Sequence, residues 1–217
     1  MKFDREGAIE VAMEAIRTDG YEQASVKALS ERLGISRSSF YNTFGSRENL
    51  FAEIIERYAL SAPDAPLYSV VDGPVLPLLE SVLRAICRIR TRDPKGRGCI
   101  IVNSICELCP SAEDPAPMLI ELATGSSKRL EELLTLARDR GEIGSEANVH
   151  ALALALQNLM IGLNVLSKVI RSEEELWLLT ETTLRGLGLY SGPHGDPSGM
   201  MHDIYNSSPS SPAIPSG

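Results

Sequence analysis

The stretch from Ser25 to Arg47 constrains this chain more than any other. It contains two short segments with apolar residues at helical spacing, separated by Gly34. A glycine at this place ends a helix, because the left-handed turn that follows carries no steric penalty without a Cβ atom. Ser25, Ser36 and Ser46 stand where helix N-caps are expected. The pattern therefore predicts three consecutive helices with a tight turn between the first two.

Two helices joined by a turn of three to four residues form a helix-turn-helix, whose second helix enters the major groove of DNA. In the second predicted helix, Phe40 and Phe44 lie four residues apart and are expected to face the interior. The stretch is locally basic, although the whole chain carries a net charge of −8. A local basic patch steers DNA even on an acidic protein, whereas the overall charge argues against a nonspecific nucleic-acid coat.

The segment from Ala8 to Tyr58 resembles the N-terminal domain of the TetR family of transcriptional repressors. The resemblance is carried by Gly20-Tyr21, Ser25-Val26, Leu33-Gly34-Ile35-Ser36, Phe40-Tyr41, Phe44 and Ser46-Arg47-Glu48-Asn49-Leu50. One departure is Arg47, where the family usually has lysine; both are cationic donors, so a phosphate contact survives the exchange. The resemblance implies a homodimer that binds a double-stranded DNA operator.

Positions in the motif predict which side chains contact DNA. The residues expected to face the major groove are Lys27, Arg37, Ser38, Tyr41 and Asn42. Ser39 and Arg47 are expected to contact phosphates, and Ser36 begins the reading helix. We expect the first group to set base specificity and the second to set affinity.

The whole chain reads as all-α, with apolar residues at helical spacing and no strand pattern. Residues 1–60 form the predicted helix-turn-helix domain. Residues 61–74 are rich in proline and mark the boundary of a larger helical domain, residues 61–187, for effector binding and dimerisation. Residues 188–217 are rich in Ser, Pro and Gly and are predicted to form a disordered tail. The helices expected in the larger domain are 75–92, 99–109, 118–140, 149–171 and 173–187.

The predicted helix from Val149 to Arg171 is apolar on nearly all sides, which a single neighbouring core cannot cover. One interpretation is a helix central to its own domain. The other is a face that pairs with the following helix and with a second copy into a four-helix bundle, as the family resemblance implies. A charge at Leu156 or Leu179 is then expected to split the dimer or unfold the chain.

The segment from Gly98 to Cys109 combines three of the four cysteines with apolar residues. It resembles a branch of the family that senses reactive electrophiles or unsaturated acids, with Lys168 at the position of a later lysine. A nearby ammonium lowers the pKa of a thiol and so increases the reactive thiolate. Helical spacing predicts that the cysteines share one face. The expected effector or sensor residues are Cys99, Asn103, Cys106, Cys109, Asn158 and Lys168.

Alternatives remain open for this region. Buried cysteines commonly serve as small apolar packing residues. Four amide residues either bond within the core or orient an effector in a mostly apolar pocket: Asn103, Gln157, Asn158 and Asn164. A zinc site at Cys99, Cys106, Cys109 and His150 lacks paired ligand spacings. Cys106 and Cys109 match the thioredoxin motif in spelling only, since the βαβ setting is absent.

The functional prediction is a DNA-binding regulator, most readily a repressor, released by a small effector or by modification of Cys109. A purely noncovalent sensor of apolar ligands is the alternative mechanism, and a dimeric interaction protein without DNA reading is the alternative class. No cofactor, metal or enzymatic activity is expected. A leader segment is not evident, and four cysteines without one suggest reduced thiols in a cytoplasm. Polar residues interrupt the longest apolar run, which argues against a membrane span.

Overall fold

A computed structural model describes residues 4–192, and within them the chain is all-α, as predicted. The helices are α1 Arg5–Asp19, α2 Val26–Leu33, α3 Arg37–Phe44, α4 Arg47–Ser61, α5 Val75–Arg92, α6 Ile100–Leu108, α7 Ala116–Asp139, α8 Val149–Leu166 and α9 Glu173–Gly186. A short 3-10 helix, Ala65–Tyr68, lies between α4 and α5, inside the segment that the sequence predicts as a loop.

Side-chain caps begin the helices of the reading motif. Ser25, Ser36 and Ser46 each accept a hydrogen bond from the backbone N–H three residues later, as the sequence predicts. Gly34 ends α2 with φ of 64°, in the left-handed region. Asn148 caps α8 in the same way as the serines, by accepting from the N–H of Ala151 at 3.1 Å.

The first hydrophobic core joins α1–α4 to α6 and the start of α7. Phe40, Leu50, Phe51 and Ile54 lie fully buried at its centre. Cys99, Ile100, Val102 and Leu119 belong to the same cluster although they come from the second predicted domain. The reading motif is therefore packed directly onto α6. Residue 60 separates the two predicted domains in the sequence, but the first hydrophobic core contains residues from both.

The second core is formed by α5, α7, α8 and α9. Its fully buried members include Leu79, Leu134, Leu163 and Leu184. Leu189 also lies fully buried in this core, although the sequence assigns it to the tail. Residues 193–217 of that predicted tail lie outside the described residues.

Helix α8 ends five residues before the predicted end at Arg171. The Arg171 guanidinium instead donates to the backbone carbonyls of Ser167 at 2.7 Å and Thr91 at 2.7 Å, and also to that of Asp93. These bonds satisfy carbonyls that helix ends leave free, and they hold the ends of α5 and α8 together. By length and mean hydropathy (1.6) α8 is also long and apolar enough to cross a membrane, and 33% of it is buried.

Candidate nucleic-acid interface and effector site

Helix α3 has one apolar face and one polar face. Phe40 and Phe44 are buried, with ring centroids 5.2 Å apart, and they anchor the helix on α1, α2 and α4. The opposite face is open to solvent. The exposed residues of the predicted DNA surface are Lys27, Ser36, Arg37, Ser38, Ser39, Tyr41 and Asn42. Every residue predicted to face the groove is therefore accessible to solvent in the folded motif.

Ser36 and Arg47 also have structural roles in this motif. The Ser36 Oγ accepts from the N–H of Ser39 at 3.1 Å and lies 2.9 Å from the hydroxyls of Ser38 and Ser39. The Arg47 guanidinium stacks 4.0 Å from the ring centroid of Tyr21, and its side chain is only 26% exposed. A phosphate contact by Arg47 must use the edge of the guanidinium that this stacking leaves open.

The three cysteines around α6 do not share one face, so that prediction was wrong. Cys99 is the N-cap residue and is buried, Cys106 is exposed, and Cys109 is the half-buried C-cap residue. Cys99 and Cys109 lie outside the helix, where extrapolation of 100° per residue no longer holds. The Cys109 Sγ lies 4.0 Å from the carbonyl oxygen of Ala116 and packs against the first core.

Lys168 and Asn103 do come together, as the sequence predicts for the effector site. The Lys168 Nζ donates to the Asn103 Oδ1 at 2.6 Å, and the Asn103 amide donates to the carbonyl of Arg97 at 2.8 Å. A Cβ atom on Gly98 would lie 3.0 Å from the Lys168 Cε, so glycine leaves room for the lysine stem. Lys168 thus lies by the N-terminal half of α6, and its hydrogen bond goes to Asn103 rather than to Cys109.

A cleft of about 330 Å³ lies beside this pair, between the end of α1 and the larger helical domain. Its walls are largely polar, unlike the mostly apolar pocket that is one of the two interpretations of the amide residues. The lining residues are Ile16, Arg17, Thr18, Asp19, Gly20, Lys95, Gly96, Arg97, Asn103, Ser104, Glu107 and Lys168. The arrangement suits a polar or charged small molecule better than an apolar one.

Asn158 does not line this cleft, so the structure does not bring it together with Lys168 and Asn103. It is exposed on the outer face of α8, in line with Leu154 and Ile161. Its neighbour Gln157 donates to the carbonyl of Ala123 at 2.7 Å and ties α8 to α7. Neighbouring residues on one turn of α8 therefore point in different directions. The sequence does not indicate these directions, because apolar residues are distributed around the whole helix.

His150 contacts a carboxylate on α7 and not the cysteines with which it would form a zinc site. Its Nδ1 lies 3.1 Å from the Glu131 Oε2 on α7. Within residues 4–192, no three side chains of the metal-ligating types converge on one point. The zinc alternative at the three cysteines and His150 therefore has no geometric support in the part of the chain that the structure describes.

Arg90 is a buried residue near the site that sequence reasoning missed. It is 4% exposed, and it donates to the Asn164 Oδ1 at 2.6 Å and to the carbonyl of Gly98 at 3.1 Å. Among residues 4–192, the buried Tyr58 hydroxyl has no hydrogen-bond partner, and burial raises the pKa of Tyr58. The signal in the sequence is Asn164, one of three side-chain amides in the apolar run of α8, because a buried guanidinium needs such an acceptor.

Ion pairs connect the two cores along the edge of the cleft. The Asp93 carboxylate accepts from the Arg97 side chain and backbone, and it lies 3.8 Å from the Arg17 guanidinium of α1. Arg97 also pairs with Glu14 of α1, and Lys95 lies 3.3 Å from that carboxylate. The hydrogen bonds from Arg97 hold the pKa of Asp93 well below its ordinary value of 3.8.

We expect acid to weaken this connection through Asp93. Because its pKa is lowered in the folded state, its contribution is complete above the ordinary pKa and is lost as the pH falls through 3.8 towards the folded value. The contribution is on the order of 2 kcal/mol. Urea unfolding at fixed protein concentration between pH 7 and pH 3 should give a smaller loss of stability for Asp93→Asn than for wild type. Equal losses would show that Asp93 does not contribute.

Comparisons with known proteins agree with this geometry. Residues 8–54 match the model of the N-terminal domain of the bacterial regulatory proteins of the tetR family, and residues 75–182 match a tetracyclin repressor-like C-terminal domain. The chain is 30% identical over 187 residues to the uncharacterized HTH-type transcriptional regulator YezE of Bacillus subtilis (strain 168), covering 81% of this chain and 91% of that one. It is 28% identical over 186 residues to the HTH-type transcriptional repressor ComR of Escherichia coli (strain K12), covering 84% and 88%.

Solved structures show the same fold over both cores. A cysteine mutant of the TetR family regulator CifR, complexed with 26-bp double-strand operator DNA, aligns with a TM-score of 0.72 and 26% identity. The alignment covers 85% of this chain and 97% of that chain. A second operator complex of CifR gives a TM-score of 0.73 at 27% identity, with the same coverage. The helix-turn-helix with its exposed reading face, the helical second domain and these similarities together show that the chain belongs to the TetR family of DNA-binding transcriptional regulators.

Proposed function

We propose that the chain is a homodimeric repressor, released from a palindromic operator by a small effector or by modification of Cys109. The observation that carries the DNA-reading part is the polar, accessible face of α3, held in place by the buried Phe40 and Phe44. Arg37 and Tyr41 on this face suit contacts with base edges and phosphates. The same face argues against the alternative of an interaction protein without DNA reading.

The outer face of α8 supports the dimer. Ala151, Leu154, Asn158, Ile161 and Val165 are all exposed and recur at intervals of three and four residues. They form one stripe along the helix. Leu178 is 59% exposed on α9 and adds a further apolar residue to the uncovered surface of the domain. A second copy of the chain that covers this stripe would form the four-helix bundle, and dimeric operators require two reading helices.

The surroundings of Cys109 support a sensing role. Its sulfur is half-buried against the first core, which contains the helices that read DNA. A covalent adduct needs space that this packing does not leave. An electrophilic alkene adds when the thiolate forms an S–C bond, the alkene π bond breaks, and a proton from solvent adds to the neighbouring carbon. The adduct would displace α6 and, with it, the reading motif.

The test of this function is a gel shift with genomic fragments around the gene for the protein, followed by N-ethylmaleimide. We expect wild type to bind a fragment and to be released by the maleimide, and Cys109→Ser to stay bound. Cys106→Ser is the matched control, because Cys106 is exposed and lies three residues away. It should be released like wild type.

Two outcomes would change the proposal. Equal release of wild type and Cys109→Ser would exclude Cys109 as the sensor, because the maleimide would then act on another thiol such as the exposed Cys106. No release of wild type would favour a noncovalent effector in the polar cleft. A protein that binds none of the fragments, with folding intact by circular dichroism, would contradict repression of a neighbouring operator.

A further inference from the structure

A carboxylate on α6 reaches across to the connection between α1 and α2. The Glu107 Oε2 accepts from the N–H of Tyr21 at 2.9 Å, and the Oε1 accepts from the N–H of Glu22 at 2.8 Å. Glu107 is the one charged residue between Gly98 and Cys109, a signal that the sequence offered and that the predictions did not use. Hydrogen bonds to a charged acceptor are stronger than those between neutral groups.

Gly20 makes this close approach possible. Its φ is 89°, and a Cβ atom there would lie 2.9 Å from the Glu107 Oε1. Any larger residue would push the carboxylate away from the two backbone N–H groups. The family-like Gly20-Tyr21 pair thus has a specific role in this chain, because it admits a side chain from the effector domain.

The two amides lie at the base of the reading motif. Tyr21 is buried, and its ring centroid lies 4.7 Å from that of Phe51. The Arg47 guanidinium also stacks on the Tyr21 ring. The segment after Glu22 leads into α2, the first helix of the motif. A displacement of Glu107 would therefore act just before the start of α2, the first helix of the motif.

We propose that Glu107 is a positioning residue that fixes the orientation of the reading helices towards the effector domain in the operator-binding arrangement. The arrangement of both cores resembles that of CifR in a complex with operator DNA, with a TM-score of 0.73. Glu107 lies one residue from Cys106 and two from Cys109, and it also lines the polar cleft. Its role in DNA binding rests on family membership, and only its role as a relay from these positions rests on the proposed sensing mechanism.

The chain contains a matched control for this contact. The Glu142 carboxylate accepts from the N–H groups of Val75 and Leu76, both at 2.9 Å. The chemistry is the same, but this contact lies within the effector domain. Glu142→Gln therefore replaces one of the two acceptor oxygens of an equivalent contact without touching the connection to the reading motif.

The first measurement is amide hydrogen exchange on the full-length protein. In Glu107→Gln, one acceptor oxygen becomes an NH₂ group that cannot accept from a backbone N–H. We expect exchange at Tyr21 and Glu22 to become about ten-fold faster, in the range of ordinary coupling energies. Glu142→Gln should leave these two amides unchanged and accelerate exchange at Val75 and Leu76. Unchanged exchange at Tyr21 and Glu22 in Glu107→Gln would overturn the proposal.

The second measurement is the affinity for the DNA fragment that wild type binds in the gel shift. We expect about ten-fold weaker binding for Glu107→Gln and wild-type binding for Glu142→Gln. Glu107→Asp keeps the charge but is one methylene shorter, so it should also weaken binding; it serves as the second variant if Glu107→Gln fails to fold. Wild-type affinity in a folded Glu107 variant would overturn the positioning role.

The two proposals can fail separately. If maleimide does not release wild type while Glu107→Gln weakens binding, the sensing mechanism is wrong and the positioning role stands. If wild type binds no fragment, the proposed repression is wrong, and the exchange rates at Tyr21 and Glu22 still decide whether the contact forms.

Discussion

Leu154→Glu is expected to convert the protein into a folded monomer that binds its operator about 100-fold more weakly than wild type, because two linked half-site contacts become one. Leu154 is 49% exposed on α8, so a carboxylate there leaves the core of the single chain intact. In a dimer, the same carboxylate would be buried against the second copy without a partner, which is strongly unfavourable. Sedimentation at micromolar concentration and gel shift on the same sample give the two readouts.

The control for this experiment is Val70→Glu, since Val70 is 87% exposed but lies far from α8 in the chain. It should leave both the assembly and the DNA affinity unchanged. Leu156 and Leu179, where the sequence suggested placing a charge, are less suitable for testing the dimer. Leu156 is 1% exposed in the second core, where a charge unfolds the chain, and Leu179 packs partly against that core. A folded Leu154→Glu monomer that still binds a palindrome tightly would contradict the dimer proposal.

Arg37→Ala and Arg47→Ala are expected to weaken DNA binding in different ways. Arg37 is exposed at the start of α3, where loss of a base contact costs about 1–3 kcal/mol and relaxes specificity at one position. Arg47 is expected to contact phosphate, so Arg47→Ala should weaken binding to all sequences by a similar factor. It should also reduce the slope of log affinity against log salt by about 1.

The matched control is Arg32→Ala. Arg32 pairs with Asp19 at 2.5 Å and is not among the residues expected to contact DNA. Arg32→Ala should change base specificity less than Arg37→Ala does, and salt dependence less than Arg47→Ala does. Because Arg47 also stacks on Tyr21, thermal unfolding of Arg47→Ala must be measured beside DNA binding. Equal losses of salt slope from Arg37→Ala and Arg47→Ala would contradict the division of roles.

Helices and caps were largely predictable because their signals are local. A serine cap bonds to an N–H three residues later, and Gly34 ends α2 through its own backbone conformation. Helical periodicity likewise depends on near neighbours, so α5 was predicted with the bounds that the structure gives. Where a distant side chain intervenes, as Arg171 does at the end of α8, the local signal failed.

The effector-site residues were only partly predictable, for the same reason. Lys168 and Asn103 meet as expected, although 65 residues separate them. The orientation of Asn158 depends on which face of α8 is covered by α5 and α7. The helical spacing does not contain that information when apolar residues surround the whole helix. The cysteines differ in burial because two of them lie at the ends of α6, outside its regular turns.

From the residues alone, this chain is an all-α protein with a helix-turn-helix near its N-terminus, since periodicity, caps and the glycine turn all act over a few residues. The position of α6 is different. It packs into the core of the reading domain, and Glu107 bonds to Tyr21, 86 residues away in the chain. Such contacts depend on how complete helices pack against each other, and no short segment of the sequence contains the packing. The connection between effector domain and DNA surface is therefore a property of the folded chain.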